Sequence, residues 1–201
     1  MKIFTLTLVL SISICICQAT PIASLTNDDS IQLKKITDAD NSFLLKLTKE
    51  ILTCLKNKNY SKFVTYIHPV SGVRFSPYTY VEEGDVKLKA DQFINTLNKN
   101  KKILWGAYDG TGDDIRLTVK EYLKKFVYDV DYLKEKMSVN KTLSHGNTIN
   151  NIKEFYPGCD YVEMYHPGKE DGNDWSGLRF IFKKYNGKYF LVGIVHDEWT
   201  I

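Results

Sequence analysis

Three consecutive residues near the C-terminus, His196, Asp197 and Glu198, combine a base with two acids. Such a group can exchange protons with a substrate, provided that its side chains point into the same space. The three residues follow the apolar run FLVGIV and precede Trp199. The strand that carries them therefore decides whether they act together.

The dipeptide Asn186-Gly187 lies between two apolar segments and predicts a two-residue β-hairpin turn. Regular pairing from this turn sets the register of both strands. It places Tyr185 opposite Lys188, Phe182 opposite Leu191, Phe180 opposite Gly193 and Leu178 opposite Val195. Alternation along each strand then divides the three polar residues between the two faces of the hairpin.

In this register Asp197 shares the more apolar face with Trp199, and His196 and Glu198 share the other face with Arg179. Burial would favour the neutral form of Asp197 and make it a candidate general acid or base. The simpler interpretation is a polar strand end, with Asp197 bonded to a backbone N–H or to an arginine. For the other three residues we expect a solvated surface group.

A second candidate base is His68, which precedes Pro69 at the end of a short helix. Aromatic side chains with a few polar anchors are typical of small-molecule pockets. The residues that we predict for such a pocket are Arg74, Tyr78, Trp105, Tyr108, Trp175 and Asp197.

The sequence lacks the motifs of several common catalytic and binding sites. It contains no G-x-S-x-G, no H-E-x-x-H and no glycine loop for phosphate. Asp109, Asp113 and Asp114 surround two glycines and are spaced as in a tight turn rather than a calcium loop. We expect no metal and no cofactor.

The first nineteen residues are typical of a signal peptide, with Lys2 followed by an apolar run and Ala19 at the cleavage point. We expect export to the periplasm or the exterior. A lipid anchor is less favoured, because Cys15 and Cys17 each follow an isoleucine rather than the small residue that a lipid-attachment site needs. Without Lys2 the charge is 26 − 24 = +2, so no nucleic-acid partner is indicated. Cys54 and Cys159 remain, and their pairing is left open.

The elements predict one domain. Residues 20–36 are expected to be a flexible lead-in and residues 37–201 a single α+β domain without a membrane span. Helices are predicted over 37–58, 59–69, 89–100 and 118–129, and strands over 73–81, 102–110, 161–167, 178–185 and 188–199. Helices early and antiparallel strands late indicate N-terminal helices packed on a curved, cone-like or roll-like antiparallel sheet that ends in the β-hairpin.

Four segments, HPVSGVRFSPYTYV, WGAYDGTGDDIRLTVKEYLKKFVYDVDY, NDWSGLRFIF and YFLVGIVHDEWTI, together resemble a family of uncharacterised exported bacterial proteins that are often labelled lipoproteins. The resemblance spans most of residues 60–201 and implies a compartment, since the family has no settled activity. The order of elements also resembles the nuclear-transport-factor-two-like roll, an analogy of fold that does not imply function.

These features favour a non-catalytic binding module for a small molecule or a cell-envelope component. An isomerase or hydrolase with Asp197 or His68 as general base is an alternative, and it requires an enclosed cavity beside the base. A protein–protein interaction or inhibitor module is a third hypothesis.

Overall fold

The computed structural model describes residues 27–144, 149–169 and 174–200, with side chains from residue 37 onward. The predicted signal peptide, residues 1–19, lies outside these ranges. The chain divides into two units, Met1–Ile36 and Thr37–Ile201, and the packing described below is that of the second unit.

The described residues contain five α-helices, two short 3-10 helices (Val64–Tyr66 and Tyr132–Lys134) and eight strands. The helices are α1 (Asn27–Lys56), α2 (Tyr60–Phe63), α3 (Ala90–Lys99), α4 (Val119–Phe126) and α5 (Ile152–Phe155). The strands are β1 (Val73–Ser76), β2 (Lys87–Leu88), β3 (Ile103–Ala107), β4 (Asp114–Leu117), β5 (Lys136–Val139), β6 (Asp160–His166), β7 (Ser176–Tyr185) and β8 (Lys188–Glu198). Helix α1 begins at Asn27, within the segment 20–36 that was expected to be a flexible lead-in.

Local signals set the helix boundaries. The Asn59 side chain accepts a hydrogen bond from the backbone N–H of Lys62 and begins α2, as its position in the sequence predicted. Thr118 and Glu121 form the predicted capping box of α4, each side chain accepting the other residue's backbone N–H. These bonds satisfy donors that a helix leaves without an internal partner at its first turn.

The main sheet is open and has six strands in the order β2-β1-β8-β7-β6-β5. Its pairs are antiparallel except for β1 and β8, which run parallel. Strands β3 and β4 form a separate two-stranded sheet. The expected α+β class with a mostly antiparallel sheet is therefore confirmed. None of the described helices has the length and apolar character that crossing a membrane requires.

Both faces of the main sheet are covered. One face packs against α1, α3 and α4 and forms the larger core, where Phe75, Phe180 and Leu191 meet Phe93 and Phe126. The other face forms a smaller cluster with α5 and the chain around Val81. Cys54 lies in the larger core and Cys159 packs against the smaller cluster, and both are free thiols.

The hairpin at Asn186-Gly187 is confirmed, with Tyr185 opposite Lys188 and Phe182 opposite Leu191. Beyond that point the predicted register is wrong. Ile181 pairs with Gly193 while Phe182 pairs with Leu191, so Val192 is an extra residue on β8. Such a β-bulge shifts every later residue of the strand to the opposite face.

Candidate functional site

The bulge reverses the predicted faces of His196 and Asp197. His196 pairs with Leu178, lies on the face of the larger core and contacts the Phe126 ring at 5.6 Å between centroids. Asp197 lies on the other face, on the same side as Arg179. His196 and Arg179 are buried rather than solvated, so the expected surface group is also wrong.

Both ring nitrogens of His196 face acceptors. Nδ1 lies 3.3 Å from the Pro77 carbonyl oxygen and Nε2 lies 3.4 Å from Oδ2 of Asp129. A neutral ring can donate to only one of them. Burial opposes ionisation of Asp129, but bonds from His196 and from the Tyr132 hydroxyl outweigh it and lower the pKa of Asp129. This group ties β8 to the chain after α4.

Asp197 forms a buried ion pair with Arg179 at 2.9 Å, and Glu163 on β6 lies at the same distance from the same guanidinium. Two carboxylates therefore share one cation on three adjacent strands. Ser144 accepts a hydrogen bond from this guanidinium and Thr79 accepts another. The backbone N–H groups of residues 143 and 144 donate to Glu163 and add neutralising dipoles.

A carboxylate held in this way has limited use as a general base, because the guanidinium competes with any substrate proton. The side chain of Asp197 is only 6% exposed, and it lines neither of the two clefts described below. His68 is similarly engaged: its Nδ1 accepts the backbone N–H groups of Val70 and Ser71. Its ring packs against Tyr185 and Phe190, and burial lowers the pKa of the imidazole.

The predicted pocket residues separate into several environments. Trp105 is buried, stacks on Tyr122 at 4.0 Å and donates to the Leu117 carbonyl, so it belongs to the core. Trp175 is half-buried beside Tyr165. Neither tryptophan lines the cleft that Tyr78 and Tyr108 share.

Arg74 is nearly buried and is committed to the loop that follows β1. Its guanidinium donates to the carbonyl oxygens of Glu82, Glu83 and Asp85 and forms an ion pair with the Glu83 carboxylate at 2.9 Å. It also lies 5.0 Å from the centre of the Phe155 ring. Arg74 thus fixes the loop 82–85 rather than presenting a free anchor.

Tyr78 and Tyr108 do come together, in a cleft of about 360 Å³. Both rings pack on Phe126, at 6.0 and 6.3 Å between centroids, so the larger core supports the floor of the cleft. We call it the tyrosine–acid cleft, and its walls are formed by Pro77, Tyr78, Tyr80, Glu82, Asp85, Gly106, Ala107, Tyr108 and Asp109.

The charged groups on these walls are all acidic: Glu82, Asp85 and Asp109. Asp85 is held by the Ser76 hydroxyl at 2.5 Å and by the backbone N–H of Glu82 at 3.0 Å. Burial raises the pKa of Asp85, and these hydrogen bonds offset part of that effect. Asp109 accepts a hydrogen bond from the Thr200 hydroxyl at 2.6 Å.

An ammonium group already contacts one of these rings. Nζ of Lys125 lies 5.3 Å from the ring centroids of both Tyr108 and Phe126, within the range of a cation–π interaction. The tyrosine–acid cleft therefore combines aromatic rings with carboxylates, the two groups that proteins use to hold organic cations.

Comparison with known proteins gives no relative for this chain, since no family model, no curated protein and no solved structure matches it.

Sequence reasoning named two of the three tyrosines of this cleft, Tyr78 and Tyr108, but neither Tyr80 nor the acids as ligand residues. Glu82 and Asp85 begin and end the segment EEGD, which follows the tyrosine-rich stretch after β1. That succession of tyrosines and acids was the available signal. Glu163 was missed for another reason: it becomes a partner of Arg179 only through the pairing of β6 with β7.

Proposed function

We propose that this protein is a non-catalytic binding module whose tyrosine–acid cleft holds the cationic group of a small molecule or a cell-envelope component. The observation that carries the proposal is the presence of three tyrosines and three carboxylates around one cleft of about 360 Å³. This volume falls within the range of small-molecule sites. No basic side chain belongs to its described walls, so an ammonium or guanidinium group fits the charge.

The bonds made by the two candidate bases, Asp197 and His68, favour binding over catalysis. Asp197 is paired with Arg179, and His68 accepts two backbone N–H groups, so both polar groups are already occupied by structural bonds. The isomerase or hydrolase hypothesis required a base beside an enclosed cavity, and neither residue lines the tyrosine–acid cleft.

We further propose export, with residues 1–19 as the signal peptide, and a cone-like curvature of the sheet. The first follows from the composition of the N-terminus, and N-terminal sequencing of the mature chain tests it. The resemblances to exported bacterial proteins and to the nuclear-transport-factor-two-like roll stay predictions.

A direct test uses benzyltrimethylammonium as the probe and benzyl alcohol as its uncharged counterpart. Isothermal titration calorimetry at low salt should detect saturable binding of the cation and much weaker binding of the alcohol. Tyr108→Leu removes one ring and should weaken binding of the cation roughly threefold to thirtyfold, the equivalent of a cation–π contact. Tyr185→Leu, an exposed tyrosine outside the cleft, is the control.

The carboxylates are tested with a pair of neighbours. Glu82 lines the cleft, whereas the adjacent Glu83 is exposed and pairs with Arg74. Glu82→Gln should weaken binding of the cation about twofold to fivefold, and Glu83→Gln should leave it unchanged. Equal binding of the cation and the alcohol, or equal effects of the two glutamate variants, would contradict the proposal.

A further inference from the structure

A second cleft, of about 450 Å³, lies between the C-terminal end of α1 and helix α4. Four lysines line it: Lys56 and Lys58 from the end of α1 and the turn after it, and Lys120 and Lys124 from α4. We call it the lysine cleft. Its charge is opposite to that of the tyrosine–acid cleft, and sequence reasoning did not predict it.

The two acids near this cleft, Asp131 and Glu121, already accept hydrogen bonds from other groups of the chain. Asp131 accepts from Lys56 at 2.8 Å through one oxygen and from the Tyr128 hydroxyl at 2.6 Å through the other. These bonds, that of Lys56 first, lower the pKa of Asp131 to about 2. The Glu121 carboxylate accepts a hydrogen bond from the backbone N–H of Thr118 at 2.7 Å, as part of the capping box.

Three lysines of the cleft therefore keep an uncompensated charge. Among the described residues, no carboxylate lies within ion-pair distance of Lys58, Lys120 or Lys124. Lys120 and Lys124 are four residues apart on α4, where like charges face each other and destabilise a helix. A bound anion would attract both lysines and offset their mutual repulsion.

The floor of the lysine cleft is apolar. Leu55 and Leu123 are buried beneath it, and the half-buried rings of Tyr60 and Tyr128 form part of its walls. Tyr60 is held by Phe93 at 6.3 Å, and Tyr128 by Tyr132 at 6.4 Å. No hydrogen-bond partner of the Tyr60 hydroxyl is found in the described part of the chain, so this hydroxyl is available to a ligand.

From this geometry we infer that the lysine cleft binds a small anion that carries an aromatic or other apolar group, such as an aryl carboxylate or an aryl phosphate. The apolar part packs on the leucines and tyrosines, and the anion is neutralised by Lys58, Lys120 and Lys124. Asp131 fixes Lys56 and Tyr128 at one wall, so that wall is formed before the ligand arrives. This site is independent of the tyrosine–acid cleft and of the function proposed for it.

The test uses naphthalene-1-sulfonate as the anionic probe and 1-naphthylmethylammonium as a cation with the same ring system. Each is titrated into the ¹⁵N-labelled chain at low salt, and amide chemical shifts are followed by NMR. The sulfonate should shift signals of residues 55–60 and 120–128 in a saturable manner, and added salt should weaken it. The ammonium probe should leave these signals unchanged.

Charge removal on α4 gives the decisive comparison. The double variant Lys120→Gln/Lys124→Gln should raise the Kd of the sulfonate about tenfold, as expected for two exposed ion pairs. Lys188→Gln, an exposed lysine of β8 outside the cleft, should leave the Kd unchanged. All three lysines are exposed, so circular dichroism should show the same fold for every variant.

Three results would overturn the inference: equal shifts with both probes, an unchanged Kd in the double variant, or an equal loss in Lys188→Gln. The first would mean that the cleft provides apolar contact alone, and the others that the lysines of α4 do not select the anion. Failure of the tyrosine–acid cleft to bind its cation would leave this result unaffected.

Discussion

Replacing Arg179 by leucine tests how strongly the structure depends on its buried charges. The guanidinium is the single cation within ion-pair distance of Glu163 and Asp197 among the described residues. The side chains of these carboxylates are 0% and 6% exposed. Arg179→Leu therefore leaves two carboxylates close together, withdrawn from water and without a counter-ion.

The expected cost follows from this burial. Removing one partner of a buried ion pair costs about 3–5 kcal/mol, because the remaining charge stays unpaired in a medium of low polarity. A domain of this size has a free energy of unfolding of roughly 5–15 kcal/mol, so this single change removes a large part of it. Asp197→Asn in the Arg179→Leu background should recover part of the loss, since one of the two uncompensated charges is then gone.

The assay is urea unfolding followed by tryptophan fluorescence, in which the buried Trp105 reports loss of the core. Arg116→Leu is the matched control. Arg116 pairs with Asp114 at 2.8 Å, but both side chains are more than half exposed, so its loss should cost less than about 1 kcal/mol. If the two arginine variants lose the same small amount of stability, the buried cluster contributes no more than a surface ion pair and the reasoning fails.

Two further predictions concern packing and pH. A Cβ on Gly193 would lie 2.7 Å from the Tyr156 hydroxyl and 2.9 Å from Cγ1 of Ile181, so Gly193→Ala should cost about 1–3 kcal/mol. Gly84→Ala, with nothing within 4 Å, should change the unfolding free energy by less than about 0.5 kcal/mol; equal effects in urea would contradict the bulge packing. The pKa of Asp131 is about 2 in the folded chain, below its unfolded value of about 3.9, so its stabilisation is complete above pH 4 and is lost as the pH falls towards 2. Thermal melts of Asp131→Asn should show a flatter decline across that window, and an unaltered decline would exclude this assignment.

The hairpin shows what local sequence can and cannot predict. Asn186-Gly187 forms the turn as expected, because two residues with positive φ require little else than their own chemistry. The bulge at Val192 was missed, although Gly193 in the middle of a strand is the usual indication of one. A glycine marks where a bulge is tolerated, but the close approach of Tyr156 and Ile181 to Gly193 depends on tertiary packing that local sequence does not reveal.

The site residues likewise include some that local sequence predicted and some that only the tertiary structure reveals. Tyr78 and Tyr108 were predicted as ligand residues from their type, and the structure places them in one cleft. Trp105 has the same chemical character but lies inside the core, and periodicity over five residues of β3 does not distinguish the two positions. The lysine cleft depends on the meeting of α1 and α4, which are distant in sequence, so only the pair Lys120 and Lys124 could have indicated it.

The position of β8 has a consequence for biosynthesis. It lies between β1 and β7 in the middle of the sheet, yet it follows both of them along the chain. During translation β1 and β7 leave the ribosome before β8. Until β8 is made, each of them has an unpaired edge. Such edges can pair with other nascent chains, so slow synthesis of residues 188–198 should favour aggregation over folding. Completing the sheet therefore requires residues 188–198, whose Asp197 pairs with Arg179 on the neighbouring strand.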